Sequence, residues 1–117
     1  MNLGFASAFQ GNFAEATELY QQSLAIRSEL GDQRGIAYAR TNLGWVAQDQ
    51  GRYDEGRRMI EEGLASFRML GDRQLSGFAL GLLGNLLNEI GEHERAAQLC
   101  GEGLALFSEV GNKWGMA

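Results

Sequence analysis

The sequence predicts an all-α fold in which antiparallel helical hairpins stack into a right-handed α-solenoid. Three observations predict it. The 117-residue chain repeats itself at an offset of 40 residues without a gap, and signals that end helices recur at the same place in every repeat. No stretch alternates apolar and polar positions with β-branched residues, as a strand would. We therefore expect a single array of three units, at about 1–31, 32–71 and 72–111, followed by a stub at 112–117.

The repeat is visible as identity at fixed positions. Leu43-Gly44 has its counterparts in Leu3-Gly4 and Leu83-Gly84, and six positions are identical in all three units. In the numbering of the second unit these positions are Leu43, Gly44, Gly51, Leu64, Ala65 and Gly71. Such identity in a short chain indicates that one structural unit is repeated and that each unit packs on the next.

Each unit is predicted to consist of two helices. The second helix of the first unit shows the pattern best, because its apolar residues fall on one stripe at helical spacing: Phe13, Ala16, Tyr20 and Leu24. The predicted helices lie at about 2–10, 13–30, 33–50, 53–70, 73–90 and 93–110. Joins of two residues make neighbouring helices antiparallel.

The joins carry the signals that end one helix and begin the next. Gly31 and Gly71 suit the left-handed conformation that follows a helix C-terminus. The next residues, Asp32 and Asp72, suit the N-cap of the following helix, because a short carboxylate accepts from free backbone N–H groups. Gly111 and the residue after it repeat this device, so we expect the last long helix to end at residue 110.

Glycine is abundant, with 17 residues, and proline is absent. Six glycines lie in the predicted joins, and the other eleven mostly occupy helix interiors, where each costs roughly 1 kcal/mol relative to Ala. Close approach of two helix backbones is the expected compensation at the repeated position of Gly4, Gly44 and Gly84. Gly77 and Gly81 share a narrow ridge with Gly84, where two backbones could nearly touch. The alternative is that some of the interior glycines are merely tolerated and leave the array soft.

The charge distribution argues against binding of nucleic acid. The net charge is −5, and the ten basic residues are spread along the chain among acids, whereas a nucleic-acid surface needs clustered positive charge. No membrane partner is expected either. The most apolar stretch, 75–90, is too short for a span, and the opening Met1-Asn2-Leu3-Gly4 has no basic leader region. These features predict a cytoplasmic protein.

No catalytic constellation is present, so the chain is predicted not to be an enzyme. The single histidine, His93, stands where the other units have Phe13 and Tyr53, and we expect its ring to wedge at a helix corner. The single cysteine, Cys100, aligns with Ile60 and is expected to be a buried small hydrophobe. One His and one Cys cannot complete a structural zinc site, and no cofactor or metal is predicted.

The repeated motif resembles the tetratricopeptide repeat. That family has a Leu-Gly pair in the first helix, a turn glycine before an aromatic residue, and small residues in the second helix. The second unit matches with Leu43-Gly44, Gly51-Arg52-Tyr53, Gly56 and Gly63-Leu64. The 40-residue length and the Leu-Gly-Asp join are similar to the long-helix subtype found in kinesin light chains, Pins-type adaptors and bacterial regulators of the Rap and MalT-like kinds.

The resemblance implies a non-catalytic protein–protein interaction module whose first helices line a concave groove for a peptide or partner segment. The outward stripes of these helices mix aromatic rings with carboxamides, which suit contact with a peptide backbone. Asn42 also stands where the family has an asparagine that holds an extended peptide. The predicted partner-binding residues are Tyr38, Asn42, Trp45, Gln48, Phe78, Asn85 and Asn88. For Trp45 and Phe78, packing between neighbouring first helices is the alternative interpretation.

The predicted groove also limits the chemistry of its ligand. Asp49 and Glu89 lie on the same face, and Arg40 is the one basic residue expected nearby. A cluster of cations that would hold a carboxylate is therefore missing. We expect an extended ligand that is not strongly acidic.

The alternative function is structural: a self-assembling repeat segment, or a regulatory array within a larger bacterial signalling or transcriptional regulator. A terminal unit leaves an apolar face uncovered unless a polar helix closes it. The large apolar residues of the closing helix are Leu99, Leu104, Leu106, Phe107 and Val110, and in the stub only Trp114 and Met116 follow to cover them. Homo-oligomers formed through uncapped terminal helices are therefore a second expectation.

Overall fold

The computed structural model describes residues 13–113, with side chains as far as Ser108. Five α-helices follow one another: α1 (Phe13–Leu30), α2 (Gln33–Asp49), α3 (Tyr53–Met69), α4 (Arg73–Glu89) and α5 (His93–Lys113). Each helix packs against the next, and α2 also contacts α4. The described residues contain no strand, and the predicted all-α solenoid of stacked hairpins is confirmed. The predicted helix at 2–10, with Gly4, lies outside the described residues.

The four described joins follow the predicted chemistry. Their glycines have φ between 68° and 91°, a region that favours glycine because other residues have a Cβ that clashes there. At the first join, the Gly31 N–H donates to the Ser28 carbonyl at 3.2 Å and the Asp32 N–H donates to the Arg27 carbonyl at 2.9 Å. This pair of bonds is the Schellman motif, and it recurs at Gly51, Gly71 and Gly91. The backbone of each join therefore closes one helix and redirects the chain.

The two predicted aspartate caps are also present. The Asp32 side chain accepts from the Gly35 N–H at 3.0 Å, and the Asp72 side chain accepts from the Leu75 N–H at 2.9 Å. Each bond satisfies one of the backbone donors that a helix N-terminus leaves free. Both first helices, α2 and α4, are thus fixed at their starts by a side chain.

The expected turn at Gly111 is wrong. Helix α5 continues through Gly111 as far as Lys113, whereas the four earlier glycines end their helices. Gly111 can adopt helical as well as left-handed angles, and the described part of the chain has no following helix that packs back at this point to require a turn.

Close helix contact at the repeated glycine position is confirmed where it is described. A Cβ added to Gly44 would lie 2.9 Å from the backbone oxygen of Gly56, and one added to Gly56 would lie 2.7 Å from the oxygen of Gly44. A Cβ at Gly84 would meet the Cys100 sulfur at 2.6 Å. Gly81 differs, because a Cβ there would meet nothing within 4 Å. Gly81 lies on the ridge of α4 but outside its contact with α5.

The core consists of several buried clusters between neighbouring helices rather than one central cluster. One buried cluster connects α1 with α2, and two further clusters connect α3 with α4 and its neighbours. In α3, Ile60 and Phe67 are completely buried. They pack in the clusters that contain Leu80, Leu83 and Leu87 of α4. Helix α4 thus covers the side of α3 that points toward the next repeat unit, as expected when one unit stacks on the next.

The matching face of α5 is not covered within the described residues. Phe67 is 0% exposed but its equivalent forty residues later, Phe107, is 43% exposed, and Leu64 is 6% exposed whereas Leu104 is 69% exposed. The expected burial of Cys100 is wrong for the same reason, because Cys100 is exposed while its equivalent is buried. Alignment to Ile60 predicted burial, but the burial of Ile60 depends on the helix that follows it.

Candidate partner-binding surface

Two stripes of side chains run side by side on α2 and α4. Their members recur every three or four residues, so each stripe occupies one side of its helix. The stripes meet at one end, where the Tyr38 and Phe78 rings lie with centroids 5.7 Å apart at an interplanar angle of 32°. Near the other end, the Gln48 amide contacts Glu89. We call this the α2–α4 surface; its residues are Tyr38, Asn42, Trp45 and Asp49 of α2 and Phe78, Leu82, Asn85 and Glu89 of α4.

The aromatic end combines exposed and packed groups. Tyr38 is 42% exposed, and Phe78, whose ring lies next to it, is half-buried. Asn42 is almost buried, and its Nδ2 donates to the Tyr38 carbonyl one helical turn earlier at 3.1 Å. Trp45 is half-buried against the cluster that joins α1 and α2. The amide of Asn42 and much of Trp45 therefore contribute to structure, while the Tyr38 ring keeps an exposed side.

Gln48 and Asn88, the other two predicted residues on these helices, lie to the side of the stripes. Gln48 is 2% exposed and faces α4, where its Nε2 donates to Glu89 Oε2 at 2.9 Å. Asn88 is exposed, and its Oδ1 lies 2.5 Å from Nδ1 of His93. Asn88 and Asn85 line a cavity of 280 Å³ between α4 and α5. Asn88 thus contacts α5, whereas Asn85 belongs to the α4 stripe and also lines this cavity.

The carboxylate end of the α2–α4 surface is negative. Asp49 and Glu89 are the last residues of α2 and α4. Partial burial, with the charge of Glu89 as a second cause, raises the pKa of Asp49 above its ordinary 3.8, although Asp49 as a whole is exposed. Arg40, the one base expected near this surface, lies two residues from Tyr38, which places it on the opposite side of α2. The ion pairs of the described residues do not include Asp49 or Glu89, and Arg52, the next base after Asp49, pairs with Glu55.

The described side chains that carry chemical reactivity do not assemble into a centre. The His93 ring contacts Asn88, and Cys100 lines the cavity between α4 and α5. No group of three or more potential metal ligands occurs among the described residues. No described helix combines the length and the apolar character that crossing a membrane requires. Within this part of the chain, the α2–α4 surface is where aromatic, amide and acidic groups lie together.

The comparisons with known proteins point to one family. The family model described as the tetratricopeptide repeat matches residues 1–69, which is more than half of the chain. No curated protein matches the sequence. The matched region contains α1, α2 and α3, including the Gly44–Gly56 contact and the first stripe of the α2–α4 surface.

Proposed function

Because this chain belongs to the tetratricopeptide repeat family, whose repeats form protein–protein interaction modules, we propose that it holds an extended segment of a partner protein on the α2–α4 surface. One observation carries the proposal. The two stripes are in ring contact at one end, and near the other end Glu89 accepts from Gln48, the residue next to Asp49 of the α2 stripe, so the stripes offer one strip of aromatic, amide and acidic groups. In this role the described residues supply contacts to a partner rather than a chemical step.

The groups on the strip suit a peptide backbone. Tyr38 presents a rigid ring that gives contact area at low entropic cost. The exposed Asn85 amide can both donate to and accept from a main-chain amide. Leu82, half-buried between them, adds apolar area. A segment that crosses these three side chains gains both apolar burial and directed hydrogen bonds.

Selection from a phage-displayed library of random 12-residue peptides tests the proposal with the intact chain. The test variant is Tyr38→Ala/Asn85→Ala, which removes two exposed groups from the surface and leaves the packed Trp45 in place. The control is Met69→Ala/Gln21→Ala, which removes exposed side chains of similar kind from α3 and α1. We expect selected peptides to lose at least about tenfold in affinity on the test variant, the scale of one interface anchor, and to retain affinity on the control. Peptides that bind the test variant as well as the unmodified chain would refute the proposal.

Self-association is a second candidate function, favoured by the uncovered face of α5. Leu104 and Phe107 are exposed although their equivalents in α3 are buried beneath α4. A first helix of another unit would cover these side chains, whether it belongs to a second copy or to a larger regulatory array. Large apolar side chains that become buried gain about 1.5–3 kcal/mol each.

Sedimentation equilibrium over a wide concentration range tests this second function. We expect a mass that rises with concentration, and we expect Leu104→Glu/Phe107→Glu to return it to the monomer. Met69→Glu, which also adds a charge at an exposed apolar position, is the control and should leave the association unchanged. A monomeric mass at high micromolar concentration would rule it out.

A further inference from the structure

At the carboxylate end of the α2–α4 surface, negative charges lie together without an ion-pair partner among the described residues. Asp49 and Glu89 each end a helix, where the unpaired carbonyls already carry partial negative charge. Neither carboxylate forms an ion pair with any described residue, whereas Asp72 pairs with Arg34 at 2.7 Å and Glu102 pairs with Arg68 at 3.4 Å. Two carboxylates and two helix C-termini thus concentrate negative charge in one place.

A buried acceptor adds an independent sign that a donor is missing. Gln48 is 2% exposed, and its Nε2 is used by Glu89. Its Oε1 is buried with no hydrogen-bond partner, which is uncommon for a buried polar atom and unfavourable for folding. The side-chain amide of Gln48 therefore has a partner for its N–H donor and none for its oxygen.

Resting on the proposed function, we infer that this end of the α2–α4 surface binds a Lys or Arg side chain of the partner segment. A single ammonium or guanidinium group gives Asp49 and Glu89 their counter-charge and opposes the partial charge of both helix ends. A carboxylate accepts more than one hydrogen bond, so Glu89 can keep its bond from Gln48 Nε2 and also accept from the cation, whose further N–H groups are donors for the buried Gln48 Oε1. A basic group therefore supplies both the counter-charge and the hydrogen-bond donor that this end lacks.

The structure also gives the spacing of the partner's recognition residues. Tyr38 and Asp49 are eleven positions apart on α2, which is about 16 Å along the axis at 1.5 Å per residue. An extended chain covers about 3.3–3.6 Å per residue. A partner that places an apolar side chain on the Tyr38–Phe78 rings therefore places its basic residue about five positions away.

The experiment uses the peptides selected on the intact chain as probes. We expect Lys or Arg to be enriched about five positions from an aromatic or aliphatic residue. Replacing that basic residue with Gln should weaken binding about tenfold, as should Asp49→Asn/Glu89→Gln in the protein, since a partly desolvated charge pair is of that size. Combining both changes should cost little more than either alone, because the two act on one contact.

The control variant is Glu29→Gln/Glu62→Gln, which makes the same change of net charge at exposed sites on α1 and α3. It should leave the affinity within about twofold, because screening weakens distant surface charges. Selected peptides that require Tyr38 and Asn85 but lack a basic residue, or ignore Asp49→Asn/Glu89→Gln, would overturn this inference and leave the proposed function standing. Failure to obtain any peptide that depends on Tyr38 and Asn85 would overturn both.

Discussion

The contact between Gly44 and Gly56 makes a quantitative prediction about stability. In Gly44→Ala the new methyl carbon would lie 2.9 Å from the Gly56 oxygen and 2.9 Å from Cγ1 of Ile60, whereas favourable carbon contacts lie near 3.5–4.0 Å. The oxygen belongs to the backbone and cannot rotate away, so α2 and α3 must separate. Overpacking of this kind costs about 1–3 kcal/mol.

A second substitution isolates that packing cost. Alanine is better than glycine in a helix by about 1 kcal/mol, and this gain applies equally to Gly44→Ala and to Gly81→Ala. A Cβ at Gly81 meets nothing within 4 Å, so Gly81→Ala should stabilise the chain by about that amount. The difference in unfolding free energy between the two variants should therefore be about 1–3 kcal/mol, the cost of overpacking alone.

Urea denaturation followed by far-UV circular dichroism measures both variants under the same conditions. We expect the midpoint of Gly44→Ala to fall below that of Gly81→Ala, and the double variant Gly44→Ala/Gly56→Ala to cost less than the sum of its parts. The coupling arises because one separation of α2 from α3 accommodates both methyl groups. Equal stabilisation by Gly44→Ala and Gly81→Ala would refute the close contact between these helices.

Three further predictions concern the cap, the core and the acidic end. Asp72→Ala should lower the unfolding free energy by about 1 kcal/mol, as loss of an N-cap bond does. Phe67→Ala should cost about 3–5 kcal/mol, and Phe107→Ala should cost clearly less because its ring is 43% exposed. Asp49→Asn should stabilise the free chain at pH 7, since a raised pKa means that the folded state disfavours the carboxylate. That gain should vanish below pH 3.8, the ordinary pKa, where the acid is protonated in both states. Thermal unfolding at several pH values checks all three.

Local chemistry explains why the joins could be predicted from the sequence. A glycine with positive φ and an aspartate that caps the next helix both act within a few residues. The conformation of Gly31-Asp32 and of Gly71-Asp72 therefore depends on residues that are close in sequence. Gly111 followed the same pattern but remains helical in α5. A turn forms only when the next helix also packs, and that information is not local.

Tertiary context explains the other differences. Gln48 and Asp49 are neighbours in sequence but lie about 100° apart around α2, and the position of α4 decides that Gln48 is buried while Asp49 is exposed. Alignment of the repeats predicts that Cys100 resembles Ile60, but Ile60 is buried beneath α4, and the described residues contain no helix that covers α5 in the same way. Helical spacing therefore predicts which side of α2 and α4 forms the surface. Which residues at its edge are exposed, as Asp49 is, and which are buried, as Gln48 is, depends on how α4 packs on α2.

Chemical-shift mapping by nuclear magnetic resonance tests the central claim most directly. A selected peptide would be titrated into the isotopically labelled chain, and the backbone amides that shift would be located on the five helices. We expect the largest shifts along α2 and α4, from Tyr38 and Phe78 to Asp49 and Glu89, with α1 and the outer face of α3 little changed. Shifts confined to α1, α3 or α5, with both stripes unaffected, would contradict binding on the α2–α4 surface.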